Sequence, residues 1–168
     1  MATSTKPSHQ VPKIIESIAV KDFYESFGEQ LHLRLVTNEK TLKNSTVRER
    51  SLNRPALAVT GYFKYFAHKR IQLFGAGEMA FFREQNSEQR RMILETMVSK
   101  KIPCIVISRN LAPPPEMVQI LEAGGVPLFR TNLTSKAFTT EVTVLLEERF
   151  APRSSLHGTL LEIRGIGT

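Results

Sequence analysis

Five residues, Cys104-Ile105-Val106-Ile107-Ser108, form an apolar, β-branched run after Pro103 and before the triple proline Pro113-Pro114-Pro115. Such a run presents the same apolar character on both sides, so a strand made from it needs cover on both faces. That pattern fits a central strand of a parallel sheet, with helices as the cover. The flanks supply them. Ser87 to Ser99 reads as a helix, with Asn86 or Ser87 able to cap it and Glu88 in its first turn. A second helix can start at Pro115, uses Met117, Ile120 and Leu121 as its apolar face, and stops at Gly124-Gly125.

The same alternation extends in both directions. Pro127 to Arg130 reads as the next strand, and Ser135 to Arg149 as the longest helix, with Phe138, Val142, Leu145 and Leu146 on one face. Upstream, Ile71 to Phe74 reads as a strand ending at Gly75, and Glu78 to Arg83 as a helix of a turn or more. Leu57 to Thr60, before Gly61, reads as another strand, and Leu31 to Val36 as a half-buried one of period two. Val20 to Phe27 has helical spacing with Gly28 as its stop, while Thr37 to Asn53 reads as a loop or weak helix. Repeated strand-helix-strand units imply right-handed crossovers, so the expected fold class is α/β with a mainly parallel sheet.

At 168 residues and 41% hydrophobic content, the chain is long enough to bury a core without staples. Its single cysteine, Cys104, excludes an internal disulfide and reads as a small buried hydrophobe. Residues 1–19 read as a polar, disordered or extended leader without an apolar signal core, and no stretch approaches a membrane span of ~20 apolar residues. A cytoplasmic location without membrane contact is the expectation. Pro152 marks a boundary, so the chain divides into a leader, an α/β domain over 20–150, and a linker with one strand over 151–168.

The formal net charge is +7. Its excess is concentrated in Arg48, Arg50, Arg54, Lys64, Lys69 and Arg70, against Glu49 alone within that stretch. A solvated face comes first among the readings, then a site for phosphate or an acidic protein, and nucleic acid last. No helix carries a basic face, and no zinc-finger or RNA-recognition pattern occurs.

Local motifs show no complete active site. His9 lies in the leader, His32 on the period-two strand and His68 in the aromatic loop, each with a solvated or structural role expected. Gly75-Ala76-Gly77 follows a strand, but position 80 is alanine, so the dinucleotide fingerprint is incomplete. Glu147 and Glu148 are adjacent on a helix and point about 100° apart, so they form no acid/base pair. His157 is different: it precedes the strand Leu160 to Ile163, which runs into Gly165-Ile166-Gly167, and strands entering glycine loops are where phosphates bind. Taken alone it is more readily structural; as a phosphate donor it is the one histidine with a candidate role.

Four segments in series resemble the HPr kinase/phosphorylases, specifically their N-terminal half. They are "NRPALAVTGYFKYFAHKRIQLFGAGE" from Asn53, "IPCIVISRNLAPPPEM" from Ile102, "VPLFRTNLTSKAF" from Val126 and "LEERFAPRSSLHGTLLEIRGIG" from Leu146. Ala56 stands where the family shows glycine, Arg164 replaces a common aromatic, and Thr168 stands where an aliphatic residue would carry the strand on. The resemblance implies a parent that phosphorylates a serine of HPr, the phosphocarrier of the sugar phosphotransferase system, and removes it by phosphorolysis in carbon-source regulation. It implies ATP or pyrophosphate with Mg²⁺ as cofactors and a homohexamer. His157 matches a histidine that the family counts as catalytic. The family's P-loop would begin just after Gly167 and is missing here, so an inactive N-terminal regulatory or assembly domain without cofactors of its own is expected. The alternative is a stand-alone module that senses a ligand or binds a protein without catalysis.

Overall fold

The computed structural model describes residues 17–151. The elements run β1 (Ile18–Ala19), α1 (Val20–Phe27), β2 (Leu33–Leu35), β3 (Thr46–Val47), β4 (Gln72–Phe74), α2 (Ala76–Glu84), α3 (Ser87–Ser99), β5 (Ile105–Ile107), α4 (Pro115–Ala123), β6 (Leu128–Thr131) and α5 (Ser135–Phe150). Two 3₁₀ turns, Glu39–Leu42 and Ala58–Thr60, interrupt the loops.

Four strands make one sheet in the order β2-β6-β5-β4. β4, β5 and β6 are parallel, and β2 closes one edge antiparallel to β6. β5 therefore has a parallel neighbour on each side, as its unbroken apolar run demands. Its alternate residues divide between two cores. Cys104 and Val106 join Ile71, Leu73 and Phe129 against Phe23 of α1 and the α5 face made by Phe138, Val142 and Leu146. Ile105 and Ile107 join Phe74 and Leu128 against Phe82 of α2, Ile93 and Met97 of α3, and Met117 and Leu121 of α4. The α/β class is thus realised as a mixed, mostly parallel sheet with helices on both faces. β1 and β3 form a separate antiparallel ribbon at the margin, which takes in the last two residues of the leader.

Local signals set the helix ends. The Asn86 side chain accepts from the Gln89 backbone N–H to start α3, Thr134 does the same for α5 through Ala137, and Pro115 opens α4. At the end of α4, Gly124 passes against α3 so closely that a Cβ there would lie 2.5 Å from Val98 Cγ1.

Two expected strands differ. Leu57 to Thr60 is no strand: it folds as a 3₁₀ turn closed by Thr60 N–H to Leu57 O (3.0 Å) and Gly61 N–H to Ala58 O (2.9 Å). Pro55 fixes φ ahead of the turn, and Gly61, at φ 96°, supplies the left-handed exit. Adjacent Ala58 and Val59 are both buried while Leu57 is 63% exposed, a distribution that no strand face produces. The edge of β4 instead takes a single bridge from Asn53 to Gln72. The strand from Leu31 shortens to Leu33–Leu35, because His32 adopts φ 54° in the turn that precedes it. His32 is therefore an exposed turn residue rather than a strand residue.

Candidate functional site

Open parallel sheets take ligands at the carboxyl ends of their strands. Here that edge carries Gly75 after β4, Ser108-Arg109-Asn110 after β5, and Thr131 to Ser135 around the end of β6. The Arg54 guanidinium grips the Glu78 carboxylate with two bonds, Nε to Oε2 at 3.1 Å and Nη2 to Oε1 at 2.8 Å. Glu78 Oε1 also accepts from the Gly75 backbone N–H at 2.8 Å. Glu78 is only 7% exposed. Burial by itself pushes its carboxyl up, but the bonds from Arg54, from its own N–H and from Gly75 N–H, with the Arg54 charge, together hold it below the ordinary carboxylate value. Ser108 and Ser135 share a hydroxyl hydrogen bond of 2.7 Å beside this pair.

Gly75 explains why the groups sit so close. Its φ of −94° suits any residue, yet a Cβ would lie 2.5 Å from Arg54 Nη2 and 2.6 Å from Ser135 Oγ. The glycine is needed for space rather than for backbone freedom. The helix N-terminus that Gly75-Ala76-Gly77 opens is occupied by the chain's own carboxylate, so the phosphate place of a dinucleotide loop is already filled by Glu78.

A few residues on, the edge is again closed by internal bonds. Arg109 and Asn110 adopt consecutive left-handed conformations (φ 57° and 53°), with their N–H groups donated to Leu133 O and Thr131 O. Arg130 donates to the carbonyls of Leu111 and Asn110, and Arg34 to the Asn110 side chain at 2.6 Å. His32 Nδ1 lies 2.7 Å from Asn132 Oδ1 on the same side. Arg34, His32 and the two asparagines line a shallow cavity of about 360 Å³, together with Glu29.

The basic stretch is more matched than its sequence suggests. Of its six cations, Arg50 pairs with Glu147, Arg54 with Glu78 and Arg70 with Glu49. Its aromatic loop turns Phe63 and Phe66 inward, edge to face with centroids 5.1 Å apart, and leaves Tyr62 and Tyr65 outside. His68 is half-buried with Nδ1 near Phe66 O. Cys104 is fully buried, and burial pushes its thiol up, so it is neither a nucleophile nor a ligand. Among the described residues, no group of three His, Cys, Asp or Glu side chains could hold a metal ion. His157 and His9 lie outside the described residues.

Sequence reasoning passed over Glu78, Gln72 and Asn53 as site residues. Asn53 Nδ2 donates to Gln72 Oε1 at 2.8 Å, and Gln72 Nε2 donates to Ala67 O and Arg70 O. With Arg54, Gly75 and Glu78 they all belong to the segment quoted from Asn53 to Glu78, which thus holds two separate hydrogen-bonded groups, Asn53–Gln72 and Arg54–Glu78–Gly75. The available signal was a buried-strand glutamine and a helix-start glutamate, neither with an apolar reason to be there.

Comparison with known proteins fits this architecture. A model of the HPr serine kinase N terminus matches residues 18–146. The HPr kinase/phosphorylase of Latilactobacillus sakei is 41% identical over 143 residues, covering 85% of this chain and 46% of that protein. The Bacillus subtilis HPr kinase/phosphorylase is 32% identical over 139 residues, covering 83% and 44%. The chain thus spans somewhat less than half the length of these relatives. Among solved structures, the CBS and DRTGG domains of the regulatory region of Clostridium perfringens pyrophosphatase, complexed with the activator diadenosine tetraphosphate, share the fold. The TM-score is 0.52 at 8% identity, over 86% of this chain and 59% of that one. With the family model covering most of its length, this chain belongs to the HPr serine kinase N-terminal family.

Proposed function

We propose that this chain acts as the N-terminal regulatory and assembly domain of a bifunctional HPr kinase/phosphorylase, the parent protein phosphorylating a serine of HPr and removing that phosphate. The observation that carries the reading is the family match over residues 18–146 by a chain that spans less than half of its relatives. HPr as partner, a homohexamer and a cytoplasmic setting belong to the same proposal. No helix among the described residues is long and apolar enough to cross a membrane. The basic surface is ascribed to protein or phosphate contacts rather than to nucleic acid, since half of the clustered cations are paired with carboxylates.

The residues present do not fit a magnesium nucleotide. The sequence has no G-x-x-x-x-G-K-[ST] loop and no Gly-Lys step at all, and the glycine turn after β4 is filled by Glu78. No phosphotransfer step therefore runs through this chain's described residues. ATP or pyrophosphate and Mg²⁺ are assigned to a second, P-loop domain in the parent. His157 is proposed to act toward that domain: a phosphate cluster favours the imidazolium form, which stabilises negative charge on a transferring phosphoryl group.

The test is serine phosphorylation of HPr by the 168-residue chain and by the parent that carries the P-loop domain. Activity in the parent and none in the isolated chain is expected. His157→Ala in the parent should sharply lower both the kinase and the phosphorolysis rates. Phosphorylation by the isolated chain would overturn the division of labour. A reading frame without a P-loop domain would select the stand-alone sensing module instead.

A further inference from the structure

At the opposite edge of the sheet, where the parallel strands begin, a cavity of about 300 Å³ opens between three separate segments. The 3₁₀ turn and β3 bring Lys40, Ser45, Thr46 and Arg48 to it. The α3–β5 connection brings Lys101, and the α4–β6 connection forms a wall through Gly124 and Gly125. No carboxylate lines it. Five arginines elsewhere pair with acids, as Arg50–Glu147, Arg54–Glu78, Arg70–Glu49, Arg90–Glu116 and Arg91–Glu95. Among the described residues, no ion pair includes Lys40, Arg48 or Lys101. Three like charges around one hollow repel each other, and an anion between them turns that repulsion into attraction.

The backbone adds a second observation. α4 leaves its last turn through Gly125, at φ 73°, while α3 leaves through Lys101, at φ 60°. Glycine adopts that conformation freely, but a residue with a Cβ is strained there. Lys101 is exposed, so packing does not repay the strain. Lys101 thus lines the cavity from a turn whose counterpart after α4 is made with glycine.

We propose that this cavity binds a small phosphate-bearing anion, with Arg48, Lys40 and Lys101 as its counter-ions and the Ser45 and Thr46 hydroxyls as further donors. A guanidinium can meet two phosphate oxygens at once, while the ammonium groups act as point charges. The volume lies at the lower end for small-molecule sites. The cations enclose one hollow instead of following a stripe, which favours a compact anion over a nucleic-acid backbone. A bound anion would tie the β1–β3 ribbon to the ends of α3 and α4. The inference does not depend on the kinase reading, because its readout is binding alone.

Titration calorimetry of the 168-residue chain with pyrophosphate, and with inorganic phosphate as the smaller probe, tests it at constant ionic strength. One saturable site is expected. Arg48→Gln and Lys101→Gln should each weaken binding by roughly tenfold or more, the loss of one charge-assisted contact. Arg50→Gln, outside the cavity, should leave it unchanged. Lys101→Gly keeps the turn while removing the cation, so weakened binding with an undiminished Tm separates ligand contact from misfolding. Absence of saturable binding at millimolar pyrophosphate overturns the proposal. So does equal weakening by Arg50→Gln, which would mean diffuse attraction to the net charge.

Discussion

Replacing Arg54 with methionine removes both bonds to Glu78 while keeping much of the apolar stem. The carboxylate, 7% exposed, then keeps only backbone N–H donors. Breaking a fully buried pair costs about 3–5 kcal/mol, and hydrogen bonds to a charged group contribute about 1.5–3 kcal/mol. The Arg54 side chain is 44% exposed, so water can partly replace it and the lower range applies. A loss of about 2 kcal/mol at neutral pH follows. In urea, followed by far-UV circular dichroism, an m-value of about 2 kcal/mol/M converts this to a midpoint about 1 M lower. The pH dependence carries the sharper test. Glu78 is held below its ordinary value of 4.5, so its contribution is full above that pH and is lost as pH falls through the lowered folded value. In the variant the carboxyl keeps its backbone bonds but loses the Arg54 bond and charge, so it lies higher than in the unmutated protein and is protonated first as pH falls. The gap between the two proteins should therefore narrow as pH is lowered from neutrality through 4.5. A gap of the same size at both ends of that range would refute the argument, and so would a loss below about 0.5 kcal/mol at neutral pH.

Ile105→Ala, at a fully buried position on β5, should cost about 2–5 kcal/mol by chemical denaturation, whereas Val144→Ala on the exposed side of α5 should change little. Gly124→Ala forces a methyl group into Val98 and should destabilise by about 1–3 kcal/mol, with compensation on trimming Val98 to Ala. Cys104 should resist iodoacetamide in the native state and react once the chain unfolds, because burial suppresses its thiolate; rapid native alkylation would contradict the interior placement.

Much of the scaffold was legible in the residues alone. The β5 run names an interior strand because it offers no polar face, and Asn86, Pro115 and Gly124 mark helix ends through contacts a few residues apart. Such signals are local, so they survive without knowledge of the neighbours. Leu57 to Thr60 shows where this stops: a short apolar segment suits a strand or a tight turn equally, and the choice fell to Pro55, Gly61 and the core beneath Ala58 and Val59. Strand order, the antiparallel edge at β2 and the separate β1–β3 ribbon were likewise settled by pairing across the chain.

The charges depended still more on the third dimension. Within the basic stretch Glu49 was the only acid, yet Arg54 found Glu78 and Arg50 found Glu147 from outside it, while Lys40, Arg48 and Lys101 came together around one cavity. Periodicity tells which side of an element is apolar, and composition gives the total charge. Neither says which side chains end up as neighbours, because an ion pair or an anion site is fixed by distances between segments that only folding brings together.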